Sequence, residues 1–272
     1  MNLTSTLSER FVPILTLLML STPLSYIGAI FHEEGHGLLA LVQGGTFTGI
    51  VIGQGGSYAL ANSYLMSIGG WIGQYVLLIT VLTLAWRLKP KSFLARSAVA
   101  ILVLHETIDQ PGYIASIQGD SAAAMRLLEA TGIGEAASVA TMEAVASVLL
   151  VVGGYISWRV LRTYFSQVFP WIGKRRSSQA SFLFVILSVT DVLAGNTPMG
   201  ESLIVSNVTN QFLIFIGLLL FLSLVAIPPA PQSWQKPVDR GTHYPAFAFA
   251  LLLIIEAELV YFFVLPITIP FP

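Results

Sequence analysis

Residues 30–38 read Ile-Phe-His-Glu-Glu-Gly-His-Gly-Leu, inside an apolar run from Phe11 to Val42. On a helix His32 and His36 stand four apart, so both imidazoles leave the same face. That spacing suits two nitrogen ligands of one zinc ion, with Glu33 beside them as a general base. Charged and imidazole side chains are costly within a bilayer, so four such groups in five residues need a functional reason.

Composition sets the frame for that motif. The chain has 272 residues, 55% hydrophobic and 10% charged, where soluble domains carry about 25% charge. These proportions predict an integral, multi-pass membrane protein whose length is spent on spans of about 20 residues each. The net charge of −1 gives no bulk field that would attract nucleic acid. There is no cysteine, which excludes disulfides, thiolate metal sites and cysteine nucleophiles.

Outward from the motif, the apolar segments predict an all-α, polytopic transmembrane bundle of about six to seven spans. Pro13 and Pro23 predict a kink or break in the first, leaving Ser25–Gln43 as the motif-bearing helix. Further spans are expected at Tyr58–Trp86, Phe93–Ile108, Ala137–Phe165, Ser181–Ala194, Phe212–Ile227 and Tyr244–Ile267. Residues 45–57, β-branched and glycine-rich, predict a short β-hairpin after the metal-binding helix. A short helix is expected at Ser121–Ala130. Residues 1–165 form the expected catalytic membrane core, and 166–272 add helices to the same membrane domain. Arg87, Lys89, Lys91, Arg159, Arg162 and Lys174–Arg176 gather at or just beyond the same ends of alternate spans, which predicts a cytoplasmic N-terminus.

A zinc site of this type needs a third protein ligand and an open position for water. Asp109 is the first choice, because it ends the third span and Pro111-Gly112 is expected to stop the helix behind it. His105, Glu106 and Asp120 compete for the same role. Metal-activated water chemistry would then use Glu33 to take the water's proton and deliver it to a leaving amine. Glu143, Glu256, Glu258 and Asp191 are intramembrane carboxylates, read as hydrogen-bonding groups between helices.

The order of these features resembles the site-2 protease family of intramembrane zinc metalloproteases, in its small bacterial, peptidase-like branch. His32-Glu33-Glu34-Gly35-His36-Gly37 is followed by Gly44-Gly45-Thr46 and the hairpin, then by Ser67-Ile68-Gly69-Gly70-Trp71-Ile72-Gly73. Gly119-Asp120-Ser121-Ala122 and Thr131-Gly132-Ile133 resemble later steps of that branch. The likeness covers roughly residues 25–150. The family's Leu-Asp-Gly and Asn-Pro signatures are absent. The resemblance implies a zinc-dependent membrane metalloendopeptidase that cleaves in or near transmembrane segments of other proteins. It also implies a strand edge, at 45–57, for an extended membrane-protein or peptide substrate. The same residues would serve a zinc hydrolase of lipid amides, or a metal or ion transporter using the His pair.

Overall fold

The computed structural model describes residues 3–52, 56–60, 64–116, 120–168, 245–253, 255 and 267–270. The expected fifth and sixth spans, Asp191, Glu256 and Glu258 lie outside the described residues. The described part is mostly helical. α1 is Leu3–Val42, β1 Thr46–Ile52 and β2 Gly56–Leu60. A 3-10 turn, Tyr64–Ile68, leads into α2, Gly69–Leu88. Then come α3 (Phe93–Ser116), α4 (Asp120–Ala130) and α5 (Glu135–Val168), and finally the strand β3, Ile267–Pro270.

Two boundaries differ from expectation, and both involve proline. α1 is continuous through Pro13 and Pro23, and α3 continues through Pro111 to Ser116. Proline removes one amide from the helix ladder but does not end the helix where neighbouring helices shelter the freed carbonyl. Pro111 cannot donate to the carbonyl of Thr107, and that carbonyl faces Gly153 of α5, where a Cβ would stand only 2.6 Å away. One turn earlier, the Thr107 hydroxyl donates to the Val103 carbonyl at 2.6 Å.

Glycine sets how closely α1 and α2 approach. A Cβ on Gly35 would strike the backbone of Gly69, and one on Gly73 would strike the carbonyl of Phe31. The two helices therefore pack backbone to backbone, as small residues allow between membrane helices. α1 stops in a Schellman turn: Gly45 N–H donates to the Ala40 carbonyl at 2.8 Å and Gly44 N–H to Leu41 at 3.0 Å. Gly44 supplies the left-handed conformation the turn needs, with φ 74°. The chain is thereby turned sharply into β1, directly beyond the motif.

The sheet order is β2-β1-β3, with β1 antiparallel to both neighbours. β1 and β2 both pack against α1. Beside them, α3 packs on α1, α2 and α5. Ile114, Ala124, Met142 and Ala146 form a buried cluster that ties α3, α4 and α5 together, with Ile68 and Trp71 against it. That cluster fixes the start of α4 over the α1–α2 contact.

Two stretches, Leu65–Leu88 and Glu135–Ile156, are long and apolar enough to cross a membrane. α2 buries Leu77, Leu78 and Ala85, and with them several small or polar residues. Gly69, Gly70, Gly73 and Gln74 are buried, while Ile72, Val76, Ile79 and Leu84 face outward. α5 likewise exposes Val145, Val148, Val151 and Val152.

Candidate metal centre

The two histidines of α1 meet a carboxylate from α4. His32 Nε2 lies 2.9 Å from Asp120 Oδ2, and His36 Nε2 lies 3.0 Å from the same oxygen. The two Nε2 atoms are 3.1 Å apart, with the rings edge to face at 80°. Ligands about 2.0 Å from a tetrahedral ion stand roughly 3.3 Å from one another, so this triangle is near the size a zinc site requires.

The far sides of both rings decide which nitrogens point inward. His36 Nδ1 is 2.8 Å from the Met66 carbonyl, which can only accept, so Nδ1 carries the proton. His32 Nδ1 donates in the same way to Gln74 Oε1 at 2.9 Å. With both Nδ1 atoms protonated, a neutral ring presents its Nε2 lone pair to the other ring and to Asp120. Three electron-rich atoms then converge on one point, and only a cation can fill it. A metal ion fits that place. An imidazole whose outer nitrogen is tied to an oxygen acceptor is the usual arrangement of a metal-binding histidine.

Local sequence explains each contribution. His32 and His36 share a helix face by their spacing. Met66 belongs to the 3-10 turn before α2, and Gln74 to the buried face of α2. Gly70 lies against the His32 ring, where any Cβ would collide with it. Asp120 is the first residue of α4, where the helix N-terminus favours a carboxylate. Burial pushes the Asp120 carboxyl up. When the imidazoles carry a second proton, their hydrogen bonds and charges outweigh burial and hold it at about 2.

Glu33 is half-buried on α1, and its charge acts on His36. Glu34 is half-buried beside it. Asp109 lies in the continuous part of α3, not at its end, and its side chain lies outside the described residues. Among the described residues, the group able to hold a metal ion is His32, His36 and Asp120. His105 and Glu106 stay on α3 and are not part of it. Glu106 is 1% exposed, beside Gly28 of α1 and near Tyr75 of α2. Glu143 is exposed on α5.

Sequence reasoning did not single out Gln74 and Met66. Gln74 had a visible signal: the lone amide side chain between Gly69 and Leu88, among glycines. Met66 acts through its backbone and leaves no signal. Comparison of the chain with protein-family models, with curated proteins and with solved structures returns no match.

Proposed function

We propose that this is a multi-spanning membrane zinc metalloprotease of the site-2 type, cleaving peptide bonds in or near transmembrane segments of other proteins. The observation that carries the proposal is the convergence of His32 Nε2, His36 Nε2 and Asp120 Oδ2, with both Nδ1 atoms already bonded and the charge of Glu33 acting on His36. Two imidazole nitrogens and one carboxylate oxygen are the donor set of catalytic zinc hydrolases. When bound there, zinc would acidify a water and polarise a substrate carbonyl.

The chain's own residues supply the rest. Gln74 and the Met66 carbonyl hold both rings with Nε2 inward. α4 delivers the carboxylate that completes the set. Glu33 is the base: its carboxylate takes a proton from water and returns it to the leaving amine. The close glycine contact of α1 with α2 keeps these groups from drifting apart.

The test is zinc content and peptide hydrolysis of the purified protein beside Glu33→Gln. Wild type should carry stoichiometric zinc. Glu33→Gln should keep the zinc and lose turnover by roughly 10²-fold or more. A well-folded wild type that binds no zinc, or Glu33→Gln with undiminished turnover, would overturn the proposal. Turnover of lipid amides in place of peptides would keep the metal chemistry and change the substrate class.

A further inference from the structure

The two imidazoles of the metal centre are oriented by unlike partners. The Met66 carbonyl, facing His36 Nδ1, can only accept, so it fixes that ring by itself. The partner of His32 is a side-chain amide, which has an accepting end and a donating end. Turned the other way, Gln74 would offer an N–H to His32 Nδ1. That nitrogen would then have to accept, the ring proton would move to Nε2, and an N–H would point where the metal needs a lone pair. The centre therefore depends on a group that holds the Gln74 amide with Oε1 towards His32.

We infer that Glu106 of α3 is that positioning residue: it holds the Gln74 amide with Nε2 away from His32, which fixes the His32 proton on Nδ1 and keeps Nε2 for the metal. The inference rests on the metal-centre reading and does not depend on the substrate. Three observations carry it. First, Glu106 and the donating end of Gln74 meet at one place. A Cβ on Gly28 of α1 would stand 2.6 Å from Glu106 Oε1 and 3.9 Å from Gln74 Nε2, so both atoms are gathered at the bare backbone of this glycine. Second, the place is deep. α1, α2 and α3 pack on one another there, and Glu106 and Gln74 are 1% and 6% exposed. With so little water, the field of a carboxylate on an amide dipole is weakly screened. Third, the sign is right. A carboxylate accepts and cannot donate, so it favours the NH2 end of an amide over the carbonyl end. The same carboxylate acts on the hydroxyl of Tyr75, the next residue of α2. A metal-binding histidine commonly gives its outer N–H to a carboxylate. Here Gln74 stands between the two and carries the same polarity.

The experiment uses the full chain in detergent. It reads zinc affinity by competition with a chelator, together with the nitrogen-15 shifts of the four histidines. Glu106→Gln keeps the shape and removes the bias, so zinc binding should weaken about fivefold or more. With zinc removed, at a pH where the rings are neutral, the His32 proton should shift from Nδ1 in the wild type towards Nε2 in Glu106→Gln. Gly28→Ala, whose Cβ would press on Glu106 Oε1, should weaken zinc binding in the same direction. The decisive variant exchanges the two groups. Gln74→Glu with Glu106→Gln puts an accept-only group directly on His32 Nδ1 and keeps the number of carboxylates, so affinity should return to within about twofold of wild type. Equal affinity and an unmoved tautomer in Glu106→Gln overturn the inference, and so does an exchanged protein that binds zinc no better than Glu106→Gln. A wild type that binds no zinc removes the metal centre and this role with it. A wild type that binds zinc beside an equally tight Glu106→Gln removes the role of Glu106 alone.

Discussion

At the scale of single residues, the centre depends on which nitrogens face inward, and that is set by groups outside the ligand triangle. Gln74 holds His32 through Nδ1 at 2.9 Å. Gln74→Leu, close in volume, should leave the fold intact while weakening zinc binding by about 10- to 100-fold, the usual cost of losing such a partner. Zinc titration against a competing chelator checks this, and Gln74→Glu should recover most of the affinity. Asp120→Ala should strip the metal from the protein, and Asp109→Ala should not. Metal analysis of the two variants separates them. The pH dependence follows from the same contacts. With Asp120 held at about 2, below its ordinary value of 3.8, its carboxylate is ionised throughout the range in which histidines titrate. Zinc lost on acidification from pH 8 to about 5 is therefore lost to protons on the imidazoles. The His pair was legible in the sequence because four-residue spacing on a helix is a local property. The carboxylate that joins them was legible only as a competitor: Asp120 stood behind Asp109, whose side chain lies outside the described residues. The position of Asp120 depends on how far α3 runs past Pro111 and on where the buried cluster of Ile114, Ala124, Met142 and Ala146 seats α4.

At the scale of elements, glycine placement matters more than apolar periodicity. Gly35 of α1 meets the backbone of Gly69 and Gly73 of α2, and that contact sets the distance between the two helices. Gly73→Val should separate α1 from α2 and cost about 1–3 kcal/mol or more, as overpacking does. Thermal unfolding in detergent measures it, with Gly134→Ala as a control, since nothing lies near a Cβ at Gly134. Gly70→Ala is the more specific probe. Its Cβ would press on the His32 ring, so zinc affinity should fall with less change in melting temperature. Helix ends at glycine were readable from sequence, as at Gly44 and Gly132, both of which have positive φ. Helix ends at proline were misread, because the sheltering partner of a freed carbonyl is a tertiary fact. The strand β3 was misread for a related reason: Ile267–Pro270 lies at the end of a segment whose hydrophobicity suits a span, and its pairing with β1 is visible only in three dimensions.

At the scale of the whole molecule, the proposed membrane location predicts how outward-facing side chains respond to charge. In a water-soluble protein an exposed isoleucine can become arginine with little effect, within about 0.5 kcal/mol. In a bilayer the same change at mid-helix costs about 2.5–3.5 kcal/mol on insertion scales. Ile79 is 63% exposed near the middle of α2, and Val148 is 62% exposed on α5. Leu88 is 74% exposed at the last residue of α2, where a long cationic side chain can reach the interface. Ile79→Arg and Val148→Arg should therefore lower the amount of protein recovered in the membrane fraction, and Leu88→Arg should not. Alkaline carbonate should leave the wild type in the membrane. The burial of Gln74 and the exposure of Ile79 on one helix give the comparison its force, since a soluble fold would place them the other way round. If all three arginine variants accumulate like wild type and the chain is released by carbonate, the outward apolar faces of α2 and α5 are not facing lipid, and the substrate class proposed from a membrane setting falls with that reading while the metal centre stands.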